Sequence, residues 1–162
     1  MTRLIISFVI AAALAGTTGA SVRPAPLSQP SAAAAAASLD TSLYTILPYS
    51  PNSHLPLRGV RPASLGTDEV DSIEVILRAM VQEQNARGRA HLSNLTQYKR
   101  QYVAVINAKG EKEVWVNCFC QLVSPAWRKE IVVVYDGGPC FFHLVVNLSK
   151  HQYYSVMING DA

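Results

Sequence analysis

"KRQYVAVINAKGEKEVWVNCFC", residues 99–120, reads as two strands and the turn between them. β-branched and aromatic residues crowd Tyr102–Ile106 and again Val114–Phe119, the composition of strands, in which successive side chains point to opposite faces. The four residues "AKGE" separate the runs, and Gly110 stands where a tight hairpin asks for a positive φ. The alternation puts Val114, Val116, Cys118 and Cys120 on one face and Trp115, Asn117 and Phe119 on the other. A hairpin of this kind needs a second layer over its apolar face.

The residues on either side supply that layer. Upstream, Val70, Ile73, Ile76, Leu77, Met80 and Val81 recur at helical spacing, with Glu74, Arg78 and Glu83 off the stripe. Thr67 is a candidate cap, Asp68 and Glu69 suit the positive first turn, and Gly88 fits the stop. Downstream, "KEIVVVYD" (129–136) predicts a third, central strand from its continuous Val and Ile. "CFFHLVVNL" (140–148) and "QYYSVMI" (152–158) predict a fourth and a fifth. Short connections imply antiparallel neighbours. The expected fold is α+β, one N-terminal helix packed on a four- to five-stranded antiparallel meander over residues 67–162.

The N-terminal third is different. Arg3 followed by the apolar run Leu4–Ala15 and small residues up to Ala20 reads as a signal peptide over residues 1–20. The run is shorter than the roughly 20 residues of a membrane span, so no span is expected after cleavage. Secretion or residence in a periplasm is the expected destination. Residues 21–66 hold seven of the nine prolines and the run "SAAAAAAS", which marks a disordered linker. Within it Leu43, Tyr44, Ile46 and Leu47 are apolar enough to dock on the domain edge instead.

Charge narrows the partners. The chain carries 14 Lys and Arg against 11 Asp and Glu. From Thr67 onward the two are balanced at ten each, so the basic footprint of a nucleic-acid binder is missing. The partner expected is a protein or a small ligand of unknown identity, with no cofactor.

Helix first and meander after resembles the cystatin-like architecture. "VNCFC" (116–120), "VYDGGPCFFHLVVNL" (134–148) and the terminal "NGDA" resemble a group of small exported bacterial proteins of unknown function. That resemblance implies location and fold only. The cystatin likeness raises cysteine-protease inhibition as a function. Cystatins carry Q-x-V-x-G at a hairpin tip and a later Pro-Trp loop. Here Gln101–Val105 ends in Val and lies in a strand, and Pro125-Ala126-Trp127 is one residue looser.

Three cysteines and a histidine carry the remaining chemistry. If the third strand lies between the second and fourth, Cys120 and Cys140 end up about a strand length apart, roughly 20 Å. A disulfide needs Cα atoms within about 7 Å. Export favours oxidation and regular geometry opposes it. A Cys120–Cys140 bridge with Cys118 as packing, a bridge using Cys118, and three buried thiols all stand at this point. A zinc site of Cys118, Cys120, Cys140 and His143 has the right residue types but awkward directions. There is no G-x-S-x-G, no H-E-x-x-H and no phosphate loop, so no catalytic residue is assigned. A non-catalytic binding domain is the expected class. Its ligand surface would be the sheet face away from the helix, where Trp115, Phe119, Tyr135, Phe141 and His143 gather. The alternative covering is a second layer, from residues 42–60 or a partner subunit. A small enzyme with a pocket between helix and curved sheet is the competing function.

Overall fold

The computed structural model describes residues 40–160 apart from His54, Arg58, Gly59 and Arg89. The expected signal peptide, the first part of the expected linker and the last two residues lie outside the described residues.

Helix α1 runs Thr67–Ala86. Gly66, not Thr67, is the N-cap residue, and Glu69 Oε2 accepts the Gly66 N–H at 2.9 Å. Satisfying an orphan donor while placing a carboxylate at the positive helix end favours this start twice over. Val70, Ile73, Leu77 and Met80 are buried on the inward face, with Ile76 partly so. From the last turn of α1, the Asn85 side chain clasps the backbone of Leu92 through both its oxygen (2.8 Å) and its amide (2.9 Å).

The hairpin forms as expected. Strand β3 is Lys99–Ile106 and β4 is Lys112–Phe119, antiparallel in the register Tyr102↔Val116. Gly110 has φ 81°, and Asn107 Oδ1 accepts from Lys109 and Glu111 N–H to hold the turn. Strands β5 (Phe141–Asn147) and β6 (Gln152–Ile158) complete an antiparallel meander β3-β4-β5-β6.

Two expectations need correction. Residues 129–136 form no strand, so β5 pairs directly with β4, Phe119 opposite Phe141 and Val116 opposite Leu144. The sheet is also not purely antiparallel. Strand β1 (Tyr44–Ile46) lies parallel on the outer edge of β3, Tyr44 opposite Arg100. Strand β2 (Arg61–Pro62) lies antiparallel further along the same edge, Pro62 opposite Val105. The result is one helix on a six-stranded mixed sheet, an α+β architecture. Tyr44–Ile46 and Arg61–Pro62 therefore share the sheet with residues that follow Thr67, the docking alternative for the "SLYTILPY" stretch. A three-residue parallel strand is short for its own hydrogen bonds to hold. Arg128 reinforces it, donating to the carbonyls of Thr41, Ser42 and Tyr44, while Thr45 Oγ1 donates to Arg128 O.

The sheet separates two apolar layers. On the helix side Val114, Val116, Cys118, Phe142, Leu144 and Val146 meet Ile73, Leu77 and Met80. On the other side the chain after β1 crosses over the sheet, and Leu47 and Leu57 cover Val103, Val105, Trp115 and Val145. Near the ends of β4 and β5, Phe119 and Phe141 pack with Trp127 and Val132. Among the described residues no helix is long and apolar enough to cross a membrane.

Candidate functional site

The site is built by the segment that fails to become a strand. Two buried amides on the sheet, Gln101 in β3 and Asn117 in β4, face away from the helix and face each other, 3.1 Å between Asn117 Nδ2 and Gln101 Oε1. They take up the backbone of residues 127–132. Gln101 Nε2 donates to Trp127 O (2.5 Å) and Glu130 O (2.6 Å), and its Oε1 accepts from Val132 N–H (2.9 Å). Asn117 Nδ2 donates to Val132 O at 2.8 Å. Further along, Asn159 Nδ2 donates to Val134 O (2.7 Å) and Asp136 O (2.9 Å). Backbone groups that a ladder would satisfy are satisfied by side chains instead. The segment is thereby held above the sheet as a wall.

Between this wall and the loop after β1 lies a cleft of about 550 Å³. Trp115, Asn117 and His143 line it from the central strands. Ile131, Val133 and Tyr135 line one side, Leu55 and Pro56 the other, and Phe141, Met157 and Asn159 complete it. None of the described lining side chains is a carboxylate, a lysine or an arginine; the polar ones are the amides of Asn52, Asn117 and Asn159, the hydroxyls of Ser53 and Tyr135, the Trp115 indole and the His143 imidazole. Burial pushes His143 below its ordinary 6.5, so it carries no charge near neutral pH. Its ring tilts against Trp115 with centroids 5.9 Å apart. The Trp115 side chain is buried, and its indole N–H has no hydrogen-bond partner among the described residues.

Four of the five residues singled out from the sequence thus line one cleft: Trp115, Tyr135, Phe141 and His143. Phe119 does not; it is buried edge-on to Trp127 at 5.8 Å. The face is not an open aromatic surface, because the 47–57 and 127–134 segments cover much of it. Tyr135 alone of the five is fully outside, 92% exposed at the cleft margin.

Cys120 and Cys140 are bridged, with Cα atoms 5.0 Å apart. They extend the β4–β5 pairing by one step, and Cys120 N–H donates to Cys140 O at 3.0 Å. The expected separation was too large because it placed a strand between neighbours. Cys118 is a buried free thiol on the helix side, and burial pushes its pKa far up, so it is no nucleophile. The four-residue metal set is dispersed: two sulfurs bond each other, Cys118 packs under the helix, and His143 faces the cleft.

Sequence reasoning missed a second polar cluster. Glu74, placed off the helix stripe, is 4% exposed under the sheet. Arg100 Nε lies 2.8 Å from Glu74 Oε1, an ion pair without hydrogen-bond alignment. Tyr102 OH donates to the same oxygen at 2.5 Å, and Arg100 Nη1 donates to Leu95 O and Tyr98 O. Burial first, then the Glu74 charge, pushes the Tyr102 hydroxyl well above its ordinary 10. Apolar side chains fill the surroundings, so the space where an enzyme pocket between helix and sheet was considered is core. The inhibitor-like residues are equally withdrawn: Gln101 and Trp127 are both buried.

No family model, no curated protein and no solved structure matches the chain.

Proposed function

We propose that this chain is an exported, non-catalytic binding domain that takes its ligand in the cleft beneath residues 131–135. One observation carries the reading: a cleft of about 550 Å³, apolar on its sides, with a few neutral polar groups converging from rigid strands. Volumes of about 300–1,000 Å³ with this mixture are usual for small-molecule sites. The scaffold around it is cross-linked at Cys120–Cys140, which suits a secreted or periplasmic destination. The cystatin-like layout belongs to the same proposal, supported by α1 and the meander β3–β6 and not by any display of inhibitor residues.

The test is a fragment screen by two-dimensional NMR on the oxidised chain. Shifts should cluster on the Trp115 indole, His143, Ile131, Val133 and Met157. Hits that map consistently to the exposed β6 edge or to α1 would reject the cleft as the binding site.

A further inference from the structure

The wall of the cleft keeps a strand's period although it pairs with no strand. Every hydrogen bond that residues 130–136 make to Gln101, Asn117 and Asn159 goes through an even-numbered residue: Glu130 O, Val132 N–H and O, Val134 O and Asp136 O. Among the described residues nothing bonds the N–H or C=O of Ile131, Val133 or Tyr135. In an extended chain successive residues turn these groups to opposite edges. One edge of the segment is therefore taken by side-chain amides, and the other is free. Val132 and Val134 pack with Phe119 and Trp127, while Ile131, Val133 and Tyr135 line the cleft. The run is β-branched and aromatic throughout, with Val133 63% and Tyr135 92% exposed. A free edge of this composition is a template for another strand.

We infer that the ligand is an extended peptide that adds as a strand to the free edge of residues 131–135 and lays alternate apolar side chains into the cleft. This inference rests on the cleft being the binding site. Main-chain bonds to Val133 and its odd-numbered neighbours hold the peptide, and the cleft selects its side chains. Charge and composition decide the occupant. A second copy paired antiparallel about Val133 would set Glu130 opposite Asp136 twice, like charge against like. Residues 21–39 of this chain carry Pro24, Pro26 and Pro30, which lack the donors of a ladder. A peptide from another protein, cationic at two positions six residues apart, meets the exposed Glu130 and Asp136 instead.

The probe is acetyl-Lys-Val-Thr-Phe-Thr-Val-Lys-amide, added to the full oxidised chain and followed by two-dimensional NMR. It should shift the Val133 and Tyr135 amides and slow their hydrogen exchange, with shifts at His143 and Met157 reporting the cleft. N-methylation of the central Phe removes the N–H aimed at Val133 O and should weaken binding about tenfold or more. N-methylation of either Thr alters an N–H that points away from the wall and should cost less than about threefold. Exchanging both Lys for Glu should weaken binding, and more so at low salt. Cleft shifts with equal losses from methylation at Phe and Thr would overturn strand addition and leave the cleft standing. No peptide binding while small fragments still shift the cleft would overturn the peptide inference alone. No cleft shifts with peptide or fragments would overturn the binding site itself. Self-association that protects the Val133 amide without peptide would give the edge to a second copy and overturn the inference.

Discussion

Gln101→Ala tests whether a side chain, not a strand ladder, holds residues 127–132 in place. The native amide makes four contacts: two donated to Trp127 O and Glu130 O, and two accepted from Val132 N–H and Asn117 Nδ2. At about 0.5–1.5 kcal/mol net per bond, the sum is roughly 2–6 kcal/mol. Glu130 and Lys129 are exposed, so the released segment can lift and regain water, which favours the lower half, about 2–4 kcal/mol. Urea denaturation measures the loss, and hydrogen exchange localises it: the Val132 amide should lose protection while β4 and β5 amides lose only the global difference. Gln101→Glu sharpens the reasoning. It retains an acceptor for Val132 N–H but turns a second oxygen toward two carbonyls that need a donor. It should be at least as damaging as alanine near neutral pH. A change below about 0.5 kcal/mol in both variants, with Val132 still protected, would refute the scaffold argument.

Three further outcomes follow from the same structure. Under denaturing, non-reducing conditions the chain should titrate one thiol, Cys118; Cys120→Ala and Cys140→Ala should each cost about 3 kcal/mol and the double variant little more, because both open the same loop. Glu74→Ala should cost about 3–5 kcal/mol by thermal or chemical melting, since it strands Arg100 as a buried unpaired charge; a near-native melt would show that Arg100 escapes to water. Lys150, Asn147 and Asn107, in that order, hold the Glu111 carboxyl at about 2, below its ordinary 4.5. Its contribution to stability is therefore complete above pH 4.5 and is lost as pH falls through about 2, so Glu111→Gln should flatten the acid limb in that window; superimposable profiles would contradict it.

The helix, the hairpin and the two-faced alternation of β4 and β5 were legible because each follows a local period. Glu74 was legible too, had spacing outranked polarity: 70, 73, 74, 77, 80, 81 and 84 are one helical stripe, and all seven are buried. Its partner Arg100 shares the inward face of β3 with Tyr102, which explains how a carboxylate is tolerated there. The wall of the cleft was not legible. "KEIVVVYD" has every property of a central strand, and Val132 is indeed buried while Val133 is exposed. What decides against a strand is the competition of Gln101, Asn117 and Asn159 for its backbone, three side chains distant in sequence that no local pattern connects to it.

That single misassignment also controlled the reading of the cysteines, and the dependence can be turned around. With a strand between β4 and β5, Cys120 and Cys140 cannot approach within about 7 Å unless the chain leaves the sheet. With β4 and β5 adjacent, the register Phe119↔Phe141 brings the next pair together without distortion, at a Cα separation of 5.0 Å. The covalent bond is thus a test of topology that needs no structure determination. Proteolysis without reduction should release a cross-linked peptide pair joining the "NCFC" segment to the "GGPC" segment through Cys120 and Cys140. Finding it favours adjacent strands and hence the displaced wall at 127–136 that forms the cleft. Finding Cys118 bridged instead would require β4 to turn its inward face outward at that residue, and the register that places Trp115 and His143 side by side in the cleft would fall with it.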